Sequence, residues 1–227
     1  MKLYKQVSVF GAALVLTAAL ASAETIQLGS YQTGGPNLGN NNTAVAFAGS
    51  PSTTYALSPG TAWAPAGANS VWVSNNPGSG PGGNYIAPSG TYTYTTTFNT
   101  IAGNSYIGSI SVLADDTASI MLNGHAIPLA TQLLGSDSHC ADGPAVNCVT
   151  PTLINLPSAF FVDGLNILEF DLTQTILSAG LDFYGSAVGT ARVGSPSAVP
   201  EPGTLFLLGS GLIGSAGLLL RRARVRA

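Results

Sequence analysis

Charge is scarce in this chain. Asp, Glu, Lys and Arg make up 7% of its 227 residues, so ion pairs cannot dominate the surface, and hydroxyls, amides and backbone must meet the water. Basic residues are scarcer still in the middle. Lys2, Lys5, Arg221, Arg222, Arg224 and Arg226 lie near the two ends, and only Arg192 stands in residues 24–198. It faces nine acids, Glu24, Asp115, Asp116, Asp137, Asp142, Asp163, Glu169, Asp171 and Asp182, which leave that segment at −8. A surface of this sign repels phosphate backbones and excludes nucleic acid as a partner. Only two cysteines are present, too few for a disulfide-dense scaffold or a four-cysteine zinc site. No interior segment sustains an apolar repeat at 3.6 residues, which removes the basis for a helical core. There is no G-x-S-x-G elbow, H-E-x-x-H helix or phosphate-binding loop, and no catalytic residue is assigned.

What is present is concentrated first at the ends. Lys2 and Lys5 form a positive start, residues 7–20 an apolar core, and Ala21-Ser22-Ala23 a small-residue cleavage site. Together they read as a secretory signal peptide over residues 1–23, with the mature chain beginning near Glu24. At the other end, residues 193–203 hold three prolines and form a stiff stalk. Residues 204–220 contain no ionisable side chain, and as a helix they reach about 25 Å, near the lower limit for spanning a bilayer. Residues 221–227 close with Arg221, Arg222, Arg224 and Arg226, a cytoplasmic stop.

The order of these parts is specific. Val199-Pro200-Glu201-Pro202, then a Gly-rich apolar helix, then an arginine cluster, resembles the PEP-CTERM sorting signal of exported bacterial proteins. The resemblance implies recognition and cleavage by an exosortase-type membrane protease at the motif Pro200, Glu201 and Pro202. It implies a chain tethered in the inner membrane through its C-terminal helix and then delivered to the cell surface or an extracellular polysaccharide matrix.

Between the signals lie roughly 175 residues, enough for one domain with a sizeable core. Residues 24–70 are rich in Gly, Asn, Ser, Thr and Pro and should hold one or two short strands, such as 43–48, within long loops. Residues 71–73 are a short strand, and 75–84 a Gly- and Pro-rich loop. In residues 92–98, Tyr92, Tyr94 and Phe98 alternate with Thr93, Thr95 and Thr97, the period of a half-buried strand. Residues 106–113 continue in this style. Residues 118–122 and 126–129 flank Asn123-Gly124, a hairpin pair suited to positive φ. Residues 165–172 send Leu168, Phe170 and Leu172 one way and Glu169 and Asp171 the other, and residues 181–188 supply a last strand. Many short strands with turn signals predict an all-β antiparallel sandwich over residues 24–192.

The run Leu113-Ala-Asp115-Asp116, the pair Asn123-Gly124, and the stretches Gly164-Leu-Asn166-Ile-Leu and Gly180-Leu-Asp-Phe resemble jelly-roll domains of the galactose-binding-like superfamily. That resemblance implies a jelly-roll-like sandwich, and it is weakly specific for ligand.

The candidate site residues follow from these motifs. Trp63, Trp72, Tyr85 and Tyr184 are the aromatics available as a stacking platform for carbohydrate, if they are exposed rather than core. Asp115, Asp116, Asp137 and Asp142 are hard oxygen donors for calcium; for the adjacent pair, an Asx-type turn is the competing role. Cys140 and Cys148 reach an oxidising compartment, where a disulfide competes with metal binding alongside His139. Glu169 and Asp171 share one face of a strand, the one spacing here that places two carboxyls for glycoside chemistry. The function expected is a non-catalytic exported sandwich that binds carbohydrate or adheres in the surface matrix; a purely structural surface protein and a glycan hydrolase are the alternatives.

Overall fold

The computed structural model describes residues 23–129, 146–175 and 177–192. The signal peptide, His139, Cys140, Asp137, Asp142, the stalk, the sorting motif, the apolar tail and its arginines lie outside the described residues. Twelve strands are described, β1 (Glu24–Gly29), β2 (Ala44–Phe47), β3 (Ser50–Ser52), β4 (Tyr55–Leu57), β5 (Trp72–Ser74), β6 (Gly90–Thr100), β7 (Asn104–Asp115), β8 (Thr117–Leu122), β9 (His125–Ala126), β10 (Thr152–Leu156), β11 (Gly164–Gln174) and β12 (Gly180–Ala191). The single described helix is a 3₁₀ turn at Ser158–Phe160.

The strands form two antiparallel sheets. One runs β10-β7-β12-β5-β4, with β1 also pairing β12, and the other runs β3-β2-β6-β11-β8-β9. Alternation puts one face of each against the other, which makes the fold a β-sandwich. From the first sheet Ile110, Val112, Leu181 and Phe183 point inward, and from the second Tyr94, Ile120, Leu168 and Phe170. Phe170 and Phe183 stack across the interface with centroids 4.7 Å apart.

Strand β12 is the spine of the first sheet. It pairs with β7 from Gly180–Asp115 to Ala191–Asn104. Its other edge is divided end to end, Glu24–Gly29 taking residues 184–189 and Val73 of β5 taking Leu181. Ser30 sits where one partner gives way to the next, its N donating to the Phe183 carbonyl at 2.9 Å and its carbonyl accepting from Val71 N at 3.0 Å.

Several expectations hold. Tyr92, Tyr94 and Phe98 are buried while Thr93, Thr95 and Thr97 are half-buried on the outer side. Asn123 and Gly124 have φ of 53° and 75°, the positive values that a tight hairpin turn between β8 and β9 requires. The loop-rich N-terminal third contains more sheet than composition suggests, with β1, β2, β3 and β4 all before residue 58.

Candidate functional site

The first sheet has a second core on its outer face. Trp72 on β5 and Leu113 on β7 project away from the sandwich interior, and the connection between β4 and β5 folds back over them. Leu57, Trp63, Trp72, Leu113 and Cys148 form this cluster, with Ala64 and Ala66 packed against it. The Trp63 and Trp72 rings lie 4.3 Å apart, and Trp72 Nε1 donates to the Ala64 carbonyl at 2.9 Å.

This arrangement corrects the stacking platform at its two tryptophans. Trp63 is 5% and Trp72 0% exposed, so neither offers an open face; each serves packing against the other. Tyr85 is half-buried against the main core. Tyr184 is half-buried, with Gly67 against its ring so closely that a Cβ there would stand 1.8 Å from Tyr184 Cδ1. Strand alternation finds outward residues but not the loop that later covers them.

Two buried carboxyls belong to the same layer. Asp115 accepts from Trp63 Nε1 at 2.8 Å, and burial, followed by the neighbouring Asp116 carboxyl, pushes it up to about 8 despite the indole's opposing effect. Asp116 Oδ2 accepts from the backbone N of Thr175 at 2.7 Å and from its hydroxyl at 2.6 Å. Asp115 ends β7 and Asp116 is the bend before β8, and the adjacent pair reaches different partners. Asp182 is raised by burial, partly offset by hydrogen bonds. The Ser30 hydroxyl and the Gly67 N each lie 2.9 Å from one of its oxygens, so Asp182 clamps the covering loop to the point where β1 yields to β5. Among the described residues no group of three or more His, Cys, Asp or Glu is placed to hold a metal. Of the calcium candidates, Asp137 and Asp142 lie outside the described residues.

Glu169 and Asp171 share the outer face of the second sheet. Asp171 accepts from the Thr93 hydroxyl at 2.7 Å, and burial, then repulsion from Asp171, raises Glu169. Their cross-strand neighbours are Thr95 and Thr93 on β6 and Met121 and Ser119 on β8. No base or second acid stands among those neighbours.

An open polar cleft lies instead where the two sheets part, beside β1 and the end of β6. It measures about 350 Å³ and its lining includes Glu24, Thr25, Asn37, Asn41, Thr97 and Asn99. Its wall is built by the Asn40-Asn41 pair. Asn40 is 4% exposed; its side chain accepts from Gly29 N at 2.8 Å and donates to the Gly29 carbonyl at 2.9 Å and to Thr96 Oγ1 at 2.7 Å. Asn41 N donates to the Thr97 carbonyl at 2.8 Å. The amide run thus takes the place of a strand on both sheets. Sequence reasoning treats this stretch as loop composition; the signal within it is three successive asparagines, Asn40, Asn41 and Asn42.

Cys148 is buried, and its expected partner Cys140 lies outside the described residues. No curated protein and no solved structure matches the chain, and the galactose-binding-like resemblance rests on its motifs alone. The chain's tail is where kinship is found: residues 198–223 match the family model of the PEP-CTERM protein-sorting motif, which marks the chain as bearing the sorting signal of an exosortase substrate.

Proposed function

We propose that this protein is exported, held at the membrane until an exosortase-type protease acts at Pro200, Glu201 and Pro202, and then released to the cell surface or matrix as a non-catalytic β-sandwich. The observation that carries the delivery half is the sorting motif at residues 198–223. The burial of Trp63 and Trp72 favours a structural or adhesive module over one with an aromatic sugar platform. Replacing Pro200, Glu201 and Pro202 by alanine should leave the precursor in the membrane fraction, while the native chain is recovered with its tail removed. Mass spectrometry of both fractions tests this, and equal processing of the two chains refutes it.

Carbohydrate association is the second reading, and the polar cleft is what favours it. Amide and hydroxyl groups of Asn37, Asn41, Asn99 and Thr97 around about 350 Å³ are the donors and acceptors that a polyhydroxylated chain requires, in a space at the lower end for ligand sites. Binding to matrix polysaccharides that weakens on Asn99→Ala supports this reading. Binding that is unaffected by that change, or absent across the polymers, leaves the structural module. A jelly-roll-like form and a Cys140–Cys148 disulfide complete the proposal. For calcium, Asp116 Oδ1 is a buried oxygen with no hydrogen-bond partner, whereas Asp116 Oδ2 is held by Thr175 and Asp115 Oδ2 by Trp63.

A further inference from the structure

The pole of the sandwich from which the chain runs on toward residue 198 carries apolar side chains that the packing does not use. The β6–β7 turn presents Ile101 at 54% exposure, and the segment entering β11 presents Val162 at 48% and Leu165 at 55%. These lie side by side. Leu165 pairs with Asn99 and Gly164 with Thr100, the Thr100 hydroxyl donates to the Val162 carbonyl at 2.6 Å, and Gly103 N donates to Asp163 Oδ2 at 3.4 Å. Strand β12 ends at the same place. Ala191 pairs with Asn104, Arg192 N donates to the Gly103 carbonyl at 3.0 Å, and the Arg192 guanidinium reaches Asp163 Oδ1 at 3.2 Å.

Scattered singly, three such residues would be ordinary surface. Grouped around the chain's exit, they point at whatever the tail is fixed in. We propose that this pole rests on the lipid bilayer while the chain is tethered, with Ile101, Val162 and Leu165 entering the interfacial zone and Arg192, the only basic residue in 24–198, at headgroup level. The inference rests on the membrane-tethered reading of the sorting motif. Residues 193–203 extend at most roughly 40 Å at about 3.3–3.6 Å per residue. The tether therefore keeps the pole at a high effective concentration near the surface, where a few apolar side chains suffice. Lipid is favoured over a protein groove as the occupant because the side chains stand on turns around a cation. The far pole also has exposed apolar residues, Ile86 at 67% and Leu177 at 52%, but it lies at the opposite end of β6, near Gly90, away from the exit.

Hydroxyl-radical footprinting of the full chain reconstituted in vesicles of phosphatidylethanolamine and phosphatidylglycerol tests the proposal. Relative to the chain released by proteolysis of its tail, oxidation of Ile101, Val162 and Leu165 should fall about threefold or more, while Ile86 and Leu177 stay unchanged. The triple variant Ile101→Ser, Val162→Ser, Leu165→Ser should lose protection of its neighbours in the same turns and keep the released chain's circular dichroism. Equal oxidation at both poles in a chain that sediments with vesicles overturns the docking alone. A chain that does not sediment overturns the tether and the docking together. Protection that appears only with added protease, or only at high surface density, assigns the pole to a protein partner or a second copy and also overturns it.

Discussion

Replacing Asp115 by asparagine should make the fold more tolerant of alkaline pH. Asp115 is buried and bonded to the Trp63 indole at 2.8 Å, and its carboxyl is pushed from 3.8 up to about 8 by burial first and by Asp116 second. The folded state therefore holds a proton that the unfolded chain releases near pH 4. The stability from this group is fully present below pH 4, declines as pH rises, and is lost by about pH 8. Four pH units at about 1.4 kcal/mol each set a ceiling near 6 kcal/mol. Local opening that admits water to the carboxyl limits the penalty, and about 3 kcal/mol is the expected effect. Asparagine keeps an acceptor for Trp63 and does not titrate. Asp182 and Glu169, also raised by burial, slope the same way in both proteins and cancel in the difference. Urea unfolding from pH 5 to pH 8 is read directly by fluorescence, since the chain's two tryptophans are the packed pair whose Trp63 indole bonds this carboxyl. The native protein should lose about 1.5 kcal/mol more than the variant across that range, the rest of the effect falling between pH 4 and pH 5; parallel stability curves would refute the assignment of a buried, protonated Asp115.

Asn166→Ala should cost about 3 kcal/mol, because Asn166 is 0% exposed and its side chain bonds Val162 N, the Val162 and Gly164 carbonyls, Thr100 and Asn123; thermal unfolding checks it. Asn40→Ala should cost a similar amount, about 2–3 kcal/mol, by leaving Gly29 without its side-chain partners, and native-state hydrogen exchange should show β1 opening first. Gly67→Ala places a methyl inside the Tyr184 ring position. That change should displace the covering loop, alter the near-ultraviolet signal of the tryptophan pair and lower stability by about 2 kcal/mol.

The strands that declare themselves in the sequence are those with one wet face and one dry one. Tyr92, Tyr94 and Phe98 against Thr93, Thr95 and Thr97 fix the orientation of β6, and Leu168, Phe170 and Leu172 against Glu169 and Asp171 fix β11. Asn123-Gly124 and Asn166 are legible because turn geometry and backbone satisfaction demand those residue types. The outer face of the first sheet is not legible. Trp72, Leu113, Asp115 and Asp182 are outward by alternation yet buried, because a Pro- and Gly-rich connection covers them, and a connection's path leaves no periodic trace. The same limit hides β10, whose short Thr152–Leu156 run follows a polar segment, and Asn40, whose amide stands in for a strand rung.

Before release, any pull from the tail enters the domain at Arg192, along the axis of β12. That strand is gripped by β7 on one side over residues 180–191 and by β1 on the other over residues 184–189. The inter-strand hydrogen bonds lie across the direction of such a load. The rungs must slide together in shear instead of unzipping one at a time, which suits a domain moored through its last strand.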